Sequence, residues 1–280
     1  MKICKTISEF KGWRNSNKNQ EIGFVPTMGA IHKGHLSLVT SSKQRCDKTV
    51  VSIFVNELQF APNEDFEKYP RTLEQDLNKL EKLGVDIVFV PSTREIYKSG
   101  FSILINELDI SQKLEGASRP GFFSGVTTVV SKLFNIIEPS YAFFGKKDIQ
   151  QLIIIKKLVL DLNFNIKIIG CETIREASGL AMSSRNQYLS AQDKKEASIL
   201  YKTLQLGKNL LNKNETVGET KLQITSKLQN NKKIEIDYVS IANSISLEEL
   251  NDNVTLENEQ VIISAAICFN TVRLIDNIII

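Results

Sequence analysis

The feature that most constrains the fold of this 280-residue chain is the alternation of short apolar runs with longer amphipathic stretches over its first 170 residues. Runs rich in β-branched and aromatic residues predict strands, and stretches with apolar residues three or four apart predict helices. The predicted strands are Ile22–Val25, Val50–Val55, Val85–Val90, Ala142–Phe144 and Ile166–Ile169. The predicted helices are Leu36–Arg45, Thr72–Leu83, Gly125–Ile137 and Asp148–Asp161. This order predicts a parallel sheet covered on both faces by helices, as in a Rossmann-like α/β domain.

The pattern changes after Glu172. One long helix is predicted from the N-cap Ser190 to about Leu211, and a second from Val217 to Leu228. Three short strands are predicted after them, at Ile236–Ile241, Val261–Phe269 and Val272–Ile275. The sequence therefore predicts an α/β domain over residues 1–173 and a smaller α+β domain over residues 174–280.

Composition excludes several classes of protein. A net charge of +3 is far below the concentrated Lys/Arg footprint of a nucleic-acid-binding protein, so no nucleic-acid partner is expected. The N-terminus lacks the apolar core of a signal peptide, and no apolar run is long enough to span a membrane, so a cytoplasmic protein without a membrane partner is expected. The four cysteines are far apart and form no Cys-x-x-Cys pair, which predicts buried, reduced thiols.

Both histidines of the chain, His32 and His35, follow a predicted strand, in the sequence Pro-Thr-Met-Gly-Ala-Ile-His-Lys-Gly-His. Gly29 and Gly34 permit tight or positive-φ backbone, and the first amides of the next helix point toward any ligand there. Such a junction collects anions, and imidazolium groups would stabilise charge that develops on phosphorus. The alternative is that these histidines are surface or capping residues of an ordinary loop. Their clustering favours a phosphate site.

Two further segments carry polar residues near predicted strand or helix ends. Asn56 and Gln59 follow the second predicted strand, where open α/β sheets hold ligands, although an amide pair in a loop is more often part of a turn. Arg119 lies in a glycine-rich approach to a helix, where it is expected to be available to an anion, although such loops commonly only cap helices.

Two segments later in the chain add cations and hydroxyls. The segment Phe144–Gln151 again runs from a strand end into a helix. Its lysines suit a leaving phosphate and Asp148 suits a ribose hydroxyl, and a solvated charge cluster is the alternative. The segment Met182–Asn186 offers two serines and an arginine to a phosphate, either as a closing lid or as a plain loop.

Taken together, these motifs closely resemble those of the pantothenate synthetase (pantoate–β-alanine ligase) family. The resemblance covers the histidine motif, Phe54–Phe60, Tyr69–Thr72, Arg119–Gly121, Phe144–Gln151 and Met182–Asn186, and it extends to the C-terminal Arg273–Asn277. It implies a Rossmann-like domain of the HxGH nucleotidyltransferase superfamily with a smaller C-terminal α+β lid domain. It also implies a cytoplasmic, usually homodimeric, ligase that uses ATP and magnesium.

In that family, pantoate and ATP give an enzyme-bound pantoyl adenylate and pyrophosphate, and β-alanine then displaces AMP to give pantothenate. Carried over by position, the resemblance assigns ATP binding to Met28, Gly29, Ala30, Ile31, His32, Lys33, Gly34, His35, Gly145, Lys146, Lys147, Asp148, Ile174, Met182, Ser183, Ser184 and Arg185. The catalytic residues of this set would be His35, His32, Lys147 and Arg185. Gln59 and Gln151 would bind pantoate. Asp76 would be a magnesium ligand; the alternative is an ion held mostly by phosphates and water.

Two positions depart from the family pattern: Glu57 replaces a proline and Phe122 replaces a histidine. Another nucleotidyltransferase of the same superfamily would explain the first and last motifs, but it would not explain the pair Gln59 and Gln151. An RNA-binding module would need a basic stripe interleaved with aromatic residues, which the sequence lacks.

Overall fold

The computed structural model describes residues 1–61, 64–256 and 260–280, which form two compact units. The first unit comprises Met1–Ser111, Arg119–Lys146 and Gln151–Glu172, and the second comprises Gln112–Ser118, Lys147–Gln150 and Thr173–Ile280. Two short segments from the earlier part of the chain thus group with the C-terminal part. The division into domains 1–173 and 174–280 stays a prediction.

A six-stranded, wholly parallel sheet forms the centre of the first unit. Its strands are β1 (Lys2–Cys4), β2 (Ile22–Thr27), β3 (Lys48–Ile53), β4 (Ile87–Phe89), β5 (Tyr141–Gly145) and β6 (Lys167–Cys171), in the spatial order β1-β4-β3-β2-β5-β6. Side chains on both faces of β2, β3 and β4 are buried, as expected of a parallel sheet covered by helices. The predicted α/β architecture is confirmed, and β1 is a strand that the sequence analysis missed.

Ten α-helices accompany the strands in the described part of the chain: α1 (Ile7–Ser16), α2 (Lys33–Arg45), α3 (Leu73–Lys82), α4 (Thr93–Ile96), α5 (Leu114–Ser118), α6 (Phe122–Ile137), α7 (Ile149–Asp161), α8 (Ala191–Ala197), α9 (Ile199–Leu211) and α10 (Val217–Gln229). Short 3-10 helices occupy Glu57–Gln59, Ile110–Gln112, Lys146–Asp148 and Ser184–Tyr188. Helix α1 was not predicted, although Thr6 and Glu9 form a capping box at its start.

The strand order reverses direction between β2 and β5. From β2 the chain adds β3 and β4 on one side of the sheet, and it adds β5 and β6 on the other. The connections that leave the carboxyl ends of β2 and β5 therefore run to opposite sides, and open α/β sheets bind ligands in the crevice so formed. The histidine loop follows β2, and β5 ends at Gly145 and is followed by Lys146 at the same edge of the sheet.

The second unit contains a three-stranded antiparallel sheet of β7 (Ile234–Asn243), β8 (Val261–Phe269) and β9 (Val272–Ile279). Side chains from α9, α10, β8 and β9 form one buried apolar cluster. The predicted α+β character of this region is confirmed.

The prediction of one long helix from Ser190 to Leu211 is wrong, because the segment is divided into α8 and α9 at Ser198. The Ser198 side chain is buried and its hydroxyl donates to the Lys195 carbonyl oxygen at 2.6 Å, a local bond that competes with regular helix hydrogen bonding. The predicted N-cap is confirmed, since Ser190 Oγ accepts from the Asp193 amide at 3.0 Å.

All four cysteines are unbridged, as the sequence predicts, but the expectation that all are buried is wrong: Cys4 is buried, whereas Cys46, Cys171 and Cys268 are partly exposed. Among the described residues, no helix has both the length and the apolar character needed to cross a membrane.

Candidate active site

The histidine loop is organised by its own side chains. Helix α2 begins at Lys33, three residues earlier than predicted, and His32 is its N-cap. His32 Nδ1 accepts from the Gly34 amide at 3.1 Å, and His35 Nδ1 accepts from the His32 amide at 3.4 Å. The two rings are stacked, with centroids 4.0 Å apart and planes inclined by 28°. The two histidines therefore form a reciprocal cap of the kind usually made by hydroxyl and carboxylate side chains.

This cap selects a tautomer for both rings. A ring nitrogen that accepts a hydrogen bond carries no proton, so the proton of each neutral imidazole lies on Nε2, at the opposite edge of the ring. His32 and His35 thus each orient an N–H donor away from the helix end that they cap. The capping interpretation and the phosphate-site interpretation are compatible because they use different nitrogens.

Asp76 braces the backbone of the same loop. Its Oδ2 accepts from the Ala30 amide at 2.9 Å and its Oδ1 from the Ile31 amide at 2.8 Å. Gly29 and Ala30 both have positive φ, of 84° and 50°, which is ordinary for glycine but uncommon for alanine, so these bonds support an unfavourable backbone conformation at Ala30. The carboxylate is fully buried, and the Thr72 hydroxyl also donates to it, at 3.0 Å. This geometry supports a structural role for Asp76, and the magnesium role proposed from the resemblance gains no support from it.

Gln59 is oriented by a buried polar cluster. Asn56 Nδ2 donates to Gln59 Oε1 and to the Gly125 carbonyl oxygen, each at 3.1 Å, and Asn56 Oδ1 accepts from the Tyr97 hydroxyl at 2.8 Å. Burial raises the pKa of Tyr97, which keeps this phenol protonated as a donor. Gln59 Nε2 lies 3.0 Å from Met28 Sδ, so two residues that the sequence assigned to different ligands are in contact. Asn56 itself is buried and positions Gln59, instead of projecting toward a ligand as we expected.

Gly125 lets helix α6 approach the Gln59 turn. A Cβ added at this position would lie 2.2 Å from the Leu58 carbonyl oxygen and 2.7 Å from the Gln59 amide nitrogen. No other residue type fits there without moving the backbone that carries Gln59. The sequence marked Gly125 only as the start of a predicted helix. The requirement for glycine comes from a contact between distant parts of the chain.

Arg119 is not available to an anion as we expected. Its Nε and Nη2 donate to the two carboxylate oxygens of Glu64, at 2.5 and 2.6 Å. Its guanidinium lies 3.8 Å above the ring of Phe122, the residue that replaces a histidine of the family pattern. Aromatic stacking and a bidentate carboxylate are favourable partners for guanidinium, so this arginine has a structural pairing within the first unit.

The 3-10 helix Lys146–Asp148 follows β5 directly. Lys146 forms an ion pair with the exposed carboxylate of Glu172. Lys147 Nζ lies 3.4 Å from Asp148 Oδ1, and the Lys147 carbonyl oxygen accepts from Asn277 Nδ2 at 2.7 Å. Gln151 lies in the first turn of α7 and is half-buried.

The segment 174–186 is a turn stabilised by specific hydrogen bonds rather than an irregular loop. The Met182 amide donates to the Ile174 carbonyl oxygen at 2.9 Å, and the chain reverses at Gly179, whose φ is 97°. Ser183 Oγ accepts from the Arg185 amide at 3.2 Å and so starts the 3-10 helix that begins at Ser184. The buried Asn186 donates to the Ala181 carbonyl oxygen at 3.0 Å, which ties that short helix to the turn. Ile174 and Met182 are thus brought together; closure of this segment as a lid stays a prediction.

Comparison with known proteins agrees with these motifs. The family model described as pantoate-beta-alanine ligase matches residues 2–279. Pantothenate synthetases of Acetivibrio thermocellus and Thermotoga petrophila are 49% and 46% identical to the chain, over 100% of its length and 99% of theirs.

Solved structures agree as well. The pantothenate synthetase of Thermus thermophilus matches with a TM-score of 0.92 and 38% identity, over 99% of each chain. The pantoate-beta-alanine ligase of Francisella tularensis, complexed with beta-gamma ATP and beta-alanine, matches with a TM-score of 0.80 and 40% identity, over 99% of this chain and 97% of that one. The chain therefore belongs to the pantoate–β-alanine ligase family and is a ligase.

Proposed function

We propose that this chain condenses (R)-pantoate with β-alanine to give pantothenate and that ATP is converted to AMP and pyrophosphate through a pantoyl adenylate. The observation that carries the proposal is the histidine loop at the strand-order reversal, where His32 and His35 each carry an Nε2 proton at the ring edge away from the helix cap. Paired N–H donors and the start of a helix suit a phosphate group. Membership of the ligase family and the ATP-bound Francisella relative support the same reaction.

The proposed reaction requires the protein to stabilise negative charge and to position the substrates. The pantoate carboxylate attacks the α-phosphorus of ATP, so two anions are brought together and negative charge develops on the phosphoryl oxygens. Donors from His35 and His32 would stabilise that charge, and the cations of Lys147 and Arg185 would neutralise the phosphates. β-Alanine then attacks the adenylate carbonyl and AMP leaves. Pyrophosphate leaves in the first step and AMP leaves in the second, so both steps are displacements between bound groups, and positioning supplies much of the rate.

ATP contacts are proposed for the residues that the resemblance names, from Met28 to His35, Gly145 to Asp148, Ile174, and Met182 to Arg185. The braced backbone of the histidine loop and the capped turn at Ser183 support these assignments, since a preorganised loop loses little entropy when the nucleotide binds. Gln59 and Gln151 are proposed to bind pantoate. The bond from Asn56 to Gln59 Oε1 supports this role, because it fixes the orientation of the Gln59 amide.

Magnesium would bind to the protein as a complex with ATP. Both Asp76 oxygens accept backbone amides, and the described residues contain no group of three or more His, Cys, Asp or Glu side chains that could hold a metal. These observations fit an ion held mainly by phosphate oxygens and water, which is usual for magnesium at nucleotides. Bound there, it would neutralise phosphate charge.

We also propose that the protein is a cytoplasmic homodimer. Support for the dimer comes from the segment 101–108, which has no regular secondary structure and exposes large apolar side chains. The exposed fractions are 74% for Ile103, 51% for Leu104 and 82% for Leu108. Clustered exposed apolar side chains are typical of interfaces between proteins.

Isotope exchange tests the proposed reaction. Labelled pyrophosphate should enter ATP when pantoate is present and β-alanine is absent, because adenylate formation is then reversible on the enzyme. An ¹⁸O atom from the pantoate carboxylate should be recovered in AMP after the full reaction. Formation of ADP, or recovery of the label in inorganic phosphate, would contradict the adenylate mechanism. Exchange supported by another carboxylic acid in place of pantoate would identify a different nucleotidyltransferase.

A further inference from the structure

The C-terminal motif Arg273–Asn277 has no role in the reaction described so far, yet its polar side chains have specific buried partners. It lies on β9 within the second unit. Val272, Leu274 and Ile278 contribute to the apolar cluster with α9 and α10. Because side chains alternate along a strand, Arg273 and Asn277 lie on the opposite face of the sheet. Their partners are the two short segments 112–118 and 147–150, which belong to the same unit.

Asn277 holds the backbone of Lys147. Its Nδ2 donates to the Lys147 carbonyl oxygen at 2.7 Å, and the Asn277 side chain is buried, with 7% of its surface exposed. Its own amide donates to Asp276 Oδ1 at 2.8 Å. That carboxylate is in turn held by Arg175 Nη1 and Nη2, at 2.5 and 2.9 Å. The backbone of Asn277, which carries the donor to Lys147, is therefore itself held by a paired carboxylate.

A second set of contacts holds the other end of the segment 147–150. Gln150 Oε1 accepts from the Glu115 amide at 3.0 Å, and its Nε2 donates to the Lys113 carbonyl oxygen at 2.8 Å. The Glu115 carboxylate accepts from Arg273 Nη1 and Nη2, at 2.6 and 2.8 Å. Residues of β9 thus hold the segment directly at Lys147 and, through Glu115, at Gln150.

A β-bulge in β7 adds further contacts to the segment 112–118. The register of β7 against β8 shifts between Ile236 and Tyr238, which leaves Asp237 as the additional residue. Asp237 Oδ1 accepts from the Ser118 hydroxyl at 2.9 Å, and the Tyr238 hydroxyl donates to Glu115 Oε1 at 3.0 Å. A bulge redirects neighbouring side chains to the same face, which explains how two consecutive residues both reach the segment 112–118. Burial and the adjacent Glu115 carboxylate raise the pKa of Tyr238, so its phenol stays a donor.

From these contacts we infer that Asn277 is a positioning residue that sets the location of the Lys147 side chain for the phosphates of ATP. The inference rests on the proposed role of Lys147. A lysine side chain has a fixed length, so the position of its backbone sets which phosphate oxygens its ammonium group can reach. Asn277 supplies that constraint across 130 residues of sequence.

The test uses Asn277→Ala, Asn277→Asp and a matched control in full-length protein. Asn277→Asp keeps the size of the side chain but removes the donor and places a second acceptor against the Lys147 carbonyl oxygen. Ser264→Ala is the control, because Ser264 is the register partner of Asn277 on β8, is also buried and has a hydroxyl that meets no hydrogen-bond partner among the described residues. Both Asn277 variants should lose roughly tenfold or more in kcat/KM for ATP, with weaker ATP binding by calorimetry, while Ser264→Ala should match the wild type.

A double-mutant cycle separates positioning from a general loss of structure. In a Lys147→Ala background, Asn277→Ala should cause no further loss, because the side chain that it positions is already absent. Equal losses in both backgrounds, or unchanged kinetics and ATP affinity for both Asn277 variants, would overturn the inference. These outcomes are distinct from a failure of the proposed function, in which the wild type itself would form no AMP from ATP, pantoate and β-alanine.

Discussion

At the scale of single residues, the candidate site depends on side chains that use different atoms for structure and for chemistry. Each histidine of the loop accepts a backbone amide through Nδ1, which leaves its proton on Nε2. Substitution by alanine therefore removes a helix cap together with a candidate donor, and the two effects must be separated experimentally.

Histidine substitutions separate these two contributions. We expect His35→Ala to lower kcat by roughly a hundredfold, because it removes a donor to the charge that develops on phosphorus. His32→Ala should be less severe, and His32→Asn should lose similar activity while it retains stability, because asparagine is also a good N-cap residue. Steady-state kinetics and thermal unfolding give the comparison, with the exposed Thr40→Ala in the same helix as a control. Near-normal turnover of folded His35→Ala would contradict the catalytic role.

Substitution of Asp76 distinguishes a structural role of its buried carboxylate in the histidine loop from a role as a metal ligand. Asp76→Asn replaces one of two acceptor oxygens by an amide donor that faces a backbone N–H. We expect a loss of about 1–3 kcal/mol in the free energy of unfolding, measured without nucleotide or magnesium. The KM for ATP should also rise, and added magnesium should not restore it. Unchanged stability with an activity that is recovered at high magnesium would instead identify Asp76 as a metal ligand.

At the scale of elements, helix α6 and the short helix Glu57–Gln59 form a unit that positions Gln59. Their close approach depends on Gly125 and on the Asn56 side chain, which bonds to the Gly125 carbonyl oxygen. Neither element places the Gln59 amide alone, because a helix of one turn has little stability of its own.

Gly125→Ala should disturb this unit. The added Cβ meets backbone atoms of Leu58 and Gln59, so we expect a loss of about 1–3 kcal/mol in stability and a raised KM for pantoate with a smaller effect on ATP. Gly12→Ala is the matched control, since its added Cβ would lie in open space within α1 and should be neutral or stabilising by about 0.5–1 kcal/mol. Equal changes in the KM values of both substrates would argue against a specific role for Gln59 in pantoate binding.

At the scale of the whole molecule, the exposed apolar side chains of the segment 101–108 are the feature that a single chain does not explain. Three large apolar side chains lie within six residues, and each has more than half of its surface in solvent. A second copy of the chain would bury them in the proposed homodimer.

Sedimentation equilibrium tests this arrangement. The wild type is expected at twice the 31.5 kDa chain mass, and Leu108→Asp should shift it toward the monomer because a buried unpaired carboxylate is costly. Leu222→Asp on α10, where the leucine is 70% exposed, controls for the added charge. A monomeric wild type, or a Leu108→Asp variant that remains fully dimeric, would contradict the proposed interface.

The sequence by itself determined the order of most strands and helices, but not β1, α1, α4 or α5, together with the parallel architecture of the first unit and the family. Hydrophobic periodicity is a local property, so the strands from β2 to β9 were located to within a few residues of their observed positions. Local patterns were less reliable at boundaries. Histidine is an uncommon N-cap, so the start of α2 was placed three residues late, and the buried serine that divides α8 from α9 has no distinctive pattern.

Only the tertiary structure decided how the site residues are held. The hydrogen bonds that hold them join residues far apart in sequence. Asp76 bonds to Ala30 across 46 positions, Asn56 to Gly125 across 69, and Asn277 to Lys147 across 130. The same holds for Arg119, whose pairing with Glu64 across 55 positions removed it from the candidate anion site. A motif records which residue types the chemistry needs, whereas the contacts that orient them arise only when folding brings distant segments together.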